Sequence, residues 1–504
     1  MSKLNFGCGV AMSQIFINFV QLKLETSMIT FAICFVTLVA AYFLYGRFLE
    51  RTVGVDPKAD MPSMTHYDGV DFMPLPRWRI FLIQLLNIAG TGPIFGAVMG
   101  ACYGPVAFLW ITLGGIFMGA MHDFVSGVIS IRNGGESLPE IIGKYLGGGM
   151  HKFTLVVIPV LMILVGAVFI VTPSQIISDK TDTPYLMWVA IIIVYYFIAT
   201  VLPVDKIIGK IYPVFGASLI FMAVALFGVL LFGDCSVPEL TTFENMHYNA
   251  DKLPIVPTLF ISIACGAISG FHATQSPLMA RCMTNEKQAR PVFFGAMISE
   301  SLIALVWAAI AMAFFGGVEG LNVFMLENGG NAGVAVSVIS DTTLGVVGGV
   351  LALLGVVVAP ITSGDTAFRS ARLIIADMLH YDQKPILKRL VVSLPLFAIG
   401  IGIAFIDFDV IWRYFAWSNQ ALSVITLWMI TAWLMRRGSK VSFLALLPAI
   451  LMTYVCSSFV FVSNQFVGLG ATAEAYIYGA ALTAVISGLL MTKIRKDVKQ
   501  GATI

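Results

Sequence analysis

The chain contains one run of about twenty apolar residues after another, from residue 28 almost to its end. A run of that length spans the hydrocarbon core of a bilayer as a helix. Lipid offers the backbone no hydrogen-bond partners, so only helices and closed barrels can span it. Only 12% of the residues are charged, against about 25% in soluble domains. The sequence therefore predicts an all-α polytopic membrane protein.

Thirteen such segments can be assigned, and the basic residues between them are unevenly distributed. Lys and Arg collect on the cytoplasmic side of membrane proteins, and 25 of the 30 fall on one side of this segmentation. The other side holds Lys3, Lys23, Lys180, Lys252 and Arg413. The split predicts a protein of the cell membrane with a cytoplasmic C-terminus. The segments are 28–46, 80–100, 105–131, 153–177, 185–203, 211–232, 256–280, 292–316, 344–368, 388–406, 410–435, 441–462 and 474–492.

Two of the segments are interrupted by glycine and proline. Ile88–Gly96 contains three glycines and Pro93, and Ala264–Pro277 contains two glycines and ends in proline. Both residue types weaken a helix interior, and backbone groups freed in lipid need protein or water as partners. Interrupted helices at matching places in two halves indicate a transporter binding site. The alternative is that these glycines only let helices pack closely.

The ten segments from 80 to 435 divide into two sets of five with similar spacing. Because five is odd, the second set crosses the membrane in the opposite sense, which makes an inverted repeat whose first helix is broken in both halves. Loop 317–343, rich in Gly and Asn, is expected outside the membrane as a possible lid. The predicted organisation is an N-terminal segment 1–27 (an interfacial helix or a dispensable extension), a leading helix 28–50, a cytoplasmic linker 51–79, the repeats 80–232 and 256–435, two extra helices 441–492 and a cytoplasmic tail 493–504.

Several motifs resemble the carbon starvation protein A (CstA) family. The most specific block is Cys265-Gly266-Ala267-Ile268-Ser269-Gly270-Phe271-His272. Also similar are Ala89-Gly90-Thr91-Gly92-Pro93, Asp123-Phe124, Arg132-Asn133-Gly134-Gly135-Glu136-Ser137-Leu138, Glu300-Ser301, Asp365 with Arg369-Ser370-Ala371-Arg372, and Asn419-Gln420. The resemblance covers about residues 40–435. It implies proton-coupled uptake of peptides and, in some members, pyruvate, on the LeuT-type five-plus-five core of the amino acid–polyamine–organocation superfamily.

This chain departs from the family pattern in two respects. Larger members carry His-His-Phe just before the first interruption, where this chain has Gln84-Leu85-Leu86-Asn87. It also lacks a long region between the helices of Glu300 and Asp365 and most of the C-terminal part. The coupling ion or the substrate can therefore differ here.

Three of the 28 acidic residues lie inside apolar segments: Asp123, Glu300 and Asp365. Charged groups inside a membrane are costly and are functional hypotheses by default. We expect these three to carry ion or proton coupling. The resemblance adds Thr362 and Ser363, because the corresponding helix of LeuT-type folds supplies hydroxyl ligands to sodium.

Each carboxylate also has a structural interpretation. Asp123 could accept an interhelical hydrogen bond or pair with His122. Glu300 could bond backbone groups that a helix break frees. Asp365 could form a local ion pair with Arg369, four residues further on.

The interruptions supply the candidate substrate-binding residues. Half-helix N-termini present unpaired N–H groups and a positive dipole end, which suits a carboxylate-bearing substrate. A buried neutral His272 bonded to a carbonyl, and Asn419 as interhelical glue, are the structural alternatives. The candidates are Gly90, Thr91, Gly92, Pro93, Ser269, Gly270, Phe271, His272, Thr274, Gln275 and Asn419.

The predicted function is secondary active uptake, with H⁺ favoured over Na⁺ as the coupling ion. A channel is the alternative, but a pore should show rings of charge or filter repeats. An intramembrane aspartyl protease would need Tyr-Asp and Gly-x-Gly-Asp, whereas Asp123 follows His122 and Asp365 follows Gly364. The expected partners are a small-molecule substrate, the ion and the bilayer. No enzyme activity, cofactor, metal site or nucleic-acid partner is expected, since P-loop and metal-ligand spacings are lacking.

Overall fold

The described part of the chain is predominantly helical. The structure is a computed structural model that describes residues 28–201, 208–352, 357–383, 385–406 and 408–500. The predicted N-terminal segment 1–27 lies outside these residues. Among the residues that are described there is no strand, which confirms the all-α fold class.

The α-helices follow the predicted segments closely in the first half and less closely in the second. The first half contains α1 (Ile29–Phe43), α2 (Tyr45–Val53), α3 (Pro62–Thr65), α4 (Arg77–Ile88), α5 (Gly92–Ala101), α6 (Val106–Gly114), α7 (Met121–Arg132), α8 (Leu138–Leu146), α9 (Gly148–Thr181), α10 (Tyr185–Val201) and α11 (Ile208–Phe232). The second half contains α12 (Phe260–Ser262), α13 (Gly270–Ala280), α14 (Gly295–Phe314), α15 (Val318–Glu327), α16 (Ala332–Ala352), α17 (Ala359–Met378), α18 (Ile386–Ile403), α19 (Phe408–Arg436), α20 (Phe443–Val462) and α21 (Ala473–Lys499).

Within the described residues, eight helical stretches are long and apolar enough to span a membrane. The bent pair α4 and α5, whose axes meet at 47°, makes a ninth. The predicted segment 256–280 is broken into short helices, and α17 carries three charged residues within the eight positions 365–372. A multi-span membrane protein is confirmed, while the count of thirteen spans stays a prediction.

The prediction of a loop at 317–343 is wrong, because most of this segment is helical. Helices α15 and α16 occupy it, and Gly329 and Gly330, both with positive φ, form the turn between them. The apolar residues of α16 recur at helical spacing, and four of them are buried: Ala332, Ala335, Val336 and Ile339. The Gly and Asn residues are concentrated at the turn, so their number misled the prediction. The predicted segment 344–368 is accordingly shared between α16 and α17.

The centre of the bundle is formed by α13 and α14. Every residue of α13 is buried, and so is most of α14. A helix that is buried on all sides marks a core position rather than a lipid-facing one. In contrast, only 17% of the membrane-spanning window of α21 is buried. This helix also runs past residue 492 to Lys499, so part of the predicted tail is helical.

Residues 54–76, which we call the inner strap, were predicted as part of a linker but are packed against the bundle. The backbone N–H of Met73 donates to the carbonyl of Arg281 (3.2 Å), and that of Leu75 to the carbonyl of Cys282 (3.0 Å). Ser63 Oγ donates to the carbonyl of Met283. The strap therefore covers the turn that follows α13.

One buried aspartate fastens the strap to α17. Asp71, 5% exposed, lies 3.2 Å from Arg369 Nη1 through Oδ1 and 3.6 Å from Arg372 Nη2 through Oδ2. Burial raises the pKa of Asp71, but the charges of Arg372, Arg369 and Arg281 outweigh burial and hold that pKa below its usual value. The strap is thus held by an ionised carboxylate at pH 7.

We expect Asp71→Asn to lower the free energy of unfolding by about 3–5 kcal/mol, since two buried guanidinium groups lose their carboxylate. Thermal unfolding of the detergent-solubilised protein measures the change, with exposed Asp60→Asn from the same strap as the control. Because the folded-state pKa lies below the unfolded one, the stabilisation is complete above about pH 4 and is lost as pH falls through the folded-state value. Equal unfolding temperatures for the two variants would contradict this role.

Candidate functional site

The two interrupted helices pack directly against each other. A Cβ added to Gly92 would lie 2.4 Å from Cys265 Sγ, and one added to Gly96 would lie 2.7 Å from the carbonyl oxygen of Ser262. Contacts this short exclude any larger side chain without a shift of the neighbour. Glycine thus lets α5 approach the residues 263–269, which we call the second interruption. The first interruption is 89–91.

Polar side chains from neighbouring helices satisfy the carbonyls freed at the second interruption. Trp110 Nε1 donates to the carbonyl of Ile263 (3.1 Å), and Ser301 Oγ donates to that of Gly266 (2.8 Å). Gly266 adopts a φ of +91°, a conformation that side chains disfavour. This arrangement is what a helix break inside lipid requires, because solvent cannot provide the missing partners.

Asn419 caps the half-helix that follows the second interruption. Its Oδ1 accepts from the backbone N–H of Phe271 (2.7 Å), and its amide also bonds Ser269 Oγ. The closest approach is at Gly270, where an added Cβ would lie 2.4 Å from the Asn419 carbonyl oxygen and 2.5 Å from Ser423 N. These contacts fit the interhelical role that was the alternative for both residues, and their role in substrate binding stays a prediction.

A buried chain of titratable side chains crosses the centre of the bundle. His272 Nδ1 lies 2.9 Å from Asp123 Oδ2, and His272 Nε2 lies 3.4 Å from Glu300 Oε2. His122 Nδ1 contacts the other oxygen of Asp123 at 2.7 Å. All four side chains are fully buried. Three residues that the sequence analysis singled out separately, on α7, α13 and α14, thus form one cluster.

In this cluster His272 Nε2 and Glu300 Oε2 face each other at 3.4 Å, and neither atom forms a hydrogen bond within the described residues. Since a carboxylate only accepts hydrogen bonds, His272 Nδ1 carries its proton toward Asp123. A proton on one of these two atoms would let Nε2 accept from a protonated Glu300 or donate to an ionised one. Without that proton, two lone pairs face each other in a fully buried site. The pair is therefore a suitable place for one shared proton.

Cys265 completes a set of donor atoms around His272. Each of Cys265, His272 and Glu300 has one atom that could bind a metal ion, and these three atoms lie within 4.8 Å of one another. Neither oxygen of Glu300 accepts a geometrically sound hydrogen bond from a described protein group. The Cys265 sulfur also lies 3.6 Å from Ser269 Oγ and packs on Gly92. These contacts join the His272–Glu300 pair to both interruptions.

Beside the first interruption, a buried face of α4 carries polar atoms without protein partners. The side chains of Gln84, Asn87 and Thr91 are fully buried, yet their N and O atoms bond no group within the described residues. Gln84 and Asn87, three residues apart, lie on one side of α4, and Thr91 belongs to the interruption that follows this helix. Buried polar groups in proteins pair with protein, water or ligand. This face is therefore suited to contact a polar solute or ordered water.

The predicted ion-binding residues of α17 lie on the other side of the first interruption. Ser363 Oγ is within 3.0 Å of the Leu86 carbonyl and 2.9 Å of the Ala359 carbonyl, and Thr362 Oγ1 also bonds the Ala359 carbonyl. A Cβ on Gly90 would lie 3.1 Å from Ser363 Oγ. Hydroxyl and carbonyl oxygens thus collect where the first helix breaks.

Asp365 does not form the local ion pair that was considered for it. Its Oδ2 accepts from Tyr212 Oη at 2.7 Å, whereas Arg369 reaches Asp71 and the carbonyl of Ala199. The other oxygen, Oδ1, has no hydrogen-bond partner among the described residues. Asp365 is thus separate from the cluster around His272, so the predicted coupling residues fall into two groups.

Thr274 and Gln275 join α13 to α17. Gln275 Nε2 donates to Thr274 Oγ1 (3.0 Å) and approaches Ser370 Oγ (3.4 Å). Thr274 Oγ1 donates to the carbonyl of Phe271 (2.6 Å). Gln275 Oε1 is buried and has no partner in the described part of the protein, so one acceptor of this pair remains available.

Aromatic side chains separate the site from the clefts at one end of the bundle. Phe95, Trp412, Phe415, Phe169 and Phe271 follow one another with ring centroids between 5.5 and 6.4 Å apart. All five are buried. The inner strap covers the opposite end. The described conformation is therefore closed toward both ends.

The site also contains residues that were not predicted for it, among them His122, Cys265, Trp110 and Tyr212. His122 and Cys265 adjoin or belong to motifs that were noted, so proximity in sequence was an available signal. Trp110 and Tyr212 lie in ordinary apolar segments. Nothing in their local sequence indicates that one bonds a broken helix and the other bonds Asp365.

Comparison with known proteins gives one family. The model of "Carbon starvation protein CstA" matches residues 26–183 and 173–347. A membrane protein of Haemophilus influenzae without an assigned function is 42% identical over 339 residues, which cover 57% of this chain and 91% of that protein. The peptide transporter CstA of Escherichia coli is 26% identical, over 53% of this chain and 47% of the transporter. The pyruvate/proton symporter BtsT of Escherichia coli is 25% identical, over 53% and 46%.

The matched part of this chain thus corresponds to about half the length of these two transporters.

Two solved structures have the same fold. MhsT in complex with L-phenylalanine superposes with a TM-score of 0.53 at 14% identity, over 84% of this chain and 99% of MhsT. Mhp1, a nucleobase-cation-symport-1 family transporter in a closed conformation, gives 0.51 at 14% identity, over 83% and 92%. These likenesses confirm the LeuT-type fold.

We expect Gly270→Ala to destabilise the protein by about 1–3 kcal/mol, because the new methyl group meets the backbone of α19 and cannot be relieved by a side-chain rotation. Gly488→Ala is the control, since a Cβ there meets nothing within 4 Å. Thermal unfolding and size-exclusion profiles of the two variants measure the difference. An unchanged unfolding temperature in Gly270→Ala would show that α13 and α19 are not packed as described.

Proposed function

Because the chain belongs to the carbon starvation protein CstA family, we propose that it is a secondary active transporter that takes up a short peptide or a small carboxylate such as pyruvate, coupled to protons. The names of its relatives support both substrate classes. The LeuT-type fold with two interrupted helices supports a carrier rather than a channel, because substrate sites in this architecture lie at the interruptions. We place it in the cell membrane with a cytoplasmic C-terminus, as the distribution of Lys and Arg indicates.

The substrate is proposed to bind between the two interruptions. Backbone of Gly90, Thr91 and Gly92 lies on one side, and Ser269 and the N-terminus of α13 on the other. The unpartnered Thr91 hydroxyl and the polar face of Gln84 and Asn87 support a polar ligand there. Asn419 acts by holding the α13 N-terminus in place rather than by direct contact. Thr274 and Gln275 extend the polar surface toward α17.

The observation that carries the proton coupling is the contact chain from Asp123 through His272 to Glu300. One proton is shared by His272 Nε2 and Glu300 Oε2, and its loss is costly while the site is closed to water. When the site opens toward one side, water reaches Glu300 and the proton can exchange. His272 sits on the half-helix that follows the second interruption, so its protonation is mechanically linked to that interruption.

Sodium is the second candidate, and one observation favours it. The Ser363 hydroxyl, the Leu86 carbonyl and the Thr362 hydroxyl provide hard oxygen atoms beside the first interruption, and hard cations prefer such ligands. Asp365, with one oxygen free of hydrogen bonds in the described structure, would supply negative charge nearby. Protons remain the favoured coupling ion because the His272–Glu300 pair offers a fully buried place for one.

We expect Glu300→Gln to abolish accumulation against a gradient while retaining exchange. The amide keeps the shape and can donate a hydrogen bond to His272, but it cannot release a proton. Proteoliposomes with an imposed pH gradient measure accumulation, and counterflow measures exchange. The control is Glu319→Gln, an exposed residue of α15. Wild-type accumulation by Glu300→Gln would leave Glu300 with a structural role.

A further inference from the structure

A cleft at the end of the bundle opposite the inner strap combines charges of both signs with aromatic walls. The N-terminal part of α19 brings Trp412 and Arg413 to this cleft, and the helix ends at Arg436, which bonds the Lys144 carbonyl near the strap end. The cleft has a volume of about 370 Å³, and Asp251 and Lys252 also line it. The Lys and Arg distribution identifies this end as the external one.

Basic residues are rare on this side, and this is what singles the cleft out. Of 30 Lys and Arg residues only five are assigned to the external side, and two of the five, Lys252 and Arg413, line this one cleft. Lys252 and Asp251 are exposed, and within the described residues neither forms an ion pair with another side chain. The cleft therefore offers both a cation and an anion to a solute.

The aromatic wall of the cleft consists of rings that contact one another. The His247 ring lies between Tyr103 and Tyr248, with ring centroids 4.6 and 4.3 Å away. Burial lowers the pKa of His247 to about 4, so this ring is neutral at physiological pH. Asn322 fixes the loop that carries it, since its Nδ2 donates to the carbonyls of Met246 (2.7 Å) and Cys102 (3.1 Å).

The floor of the cleft is built from both interrupted helices. Met99 and Cys102 come from the end of α5, and Ile261 and Ser262 directly precede the second interruption. Trp412 lines the cleft and is also the second ring in the row of aromatic side chains that closes the site. A solute in this cleft would therefore lie directly above the proposed substrate site.

We propose that this cleft is an external recognition site for a zwitterionic short peptide, with Lys252 and Arg413 facing its carboxylate and Asp251 facing its ammonium group. The inference rests on the proposed transport function and selects one of its two substrate classes. A volume of about 370 Å³ falls within the range of about 300–1,000 Å³ for small-molecule sites. A three-carbon monoanion would leave much of this space empty, and Asp251 would repel it. A zwitterionic peptide could instead pair with both the cation and the anion of the cleft.

The test uses three probes that differ only in their charged ends: trialanine, trialanine amide and N-acetyl-trialanine. Equilibrium binding to the purified full-length protein in nanodiscs is measured for the wild type, Lys252→Gln, Asp251→Asn and the exposed control Glu327→Gln, which does not line the cleft. For the wild type we expect each modified probe to bind about fivefold more weakly than trialanine, a typical effect for exposed charge pairs.

The variants then assign each residue to one end of the peptide. In Lys252→Gln the amide should bind as well as trialanine, and in Asp251→Asn the acetylated probe should do so, while Glu327→Gln behaves as the wild type. If the wild type distinguishes the probes and the cleft variants do so equally, the cleft proposal is wrong and the transport proposal stands. If the wild type binds pyruvate but none of the peptides, the cleft proposal is wrong and the carboxylate form of the function remains. Failure to bind any of these solutes would overturn both the cleft proposal and the transport proposal.

Discussion

Backbone carbonyls that are freed inside a membrane must find protein partners, and much of this structure follows from that constraint. At the second interruption Trp110, Ser301 and Gln420 donate to three of them. At the first, Ser363 bonds the Leu86 carbonyl. Each donor belongs to a different helix, so the two interruptions tie neighbouring helices to the centre of the bundle. Glycines at the crossings make the approach close enough for these bonds.

The same constraint accounts for the placement of charge. Asp123, His272 and Glu300 are fully buried, and a buried charge is tolerated only with a charged or hydrogen-bonded partner. His272 serves both carboxylates because its two ring nitrogens point in opposite directions. Since His272 lies on the half-helix that follows an interruption, the proposed mechanism would couple its protonation to a movement of that half-helix. At the strap end, Asp71 is the charged partner of the buried side chains of Arg369 and Arg372.

The sequence predicted the membrane class, the interrupted helices and three isolated carboxylates, because apolar length, glycine with proline, and charge in lipid are local signals. It did not predict that Asp123 and Glu300 share His272 while Asp365 pairs with Tyr212, since those contacts depend on how helices far apart in the chain are packed. Local composition was misleading at 317–343, where Gly and Asn mark one turn between helices, and at 51–79, where prolines suggested a linker. In that segment Asp71 is buried by residues about 300 positions away.

Proton movement with substrate tests the central claim most directly. In a weakly buffered, sodium-free suspension of proteoliposomes, an external pH electrode records the response to added trialanine or pyruvate while uptake is followed in parallel. If the His272–Glu300 pair couples transport, uptake of one of these solutes is accompanied by alkalinisation of the medium, which a proton ionophore abolishes. Uptake that leaves the external pH unchanged and appears only when sodium is added would contradict the account and move the coupling ion to the oxygen atoms around Ser363.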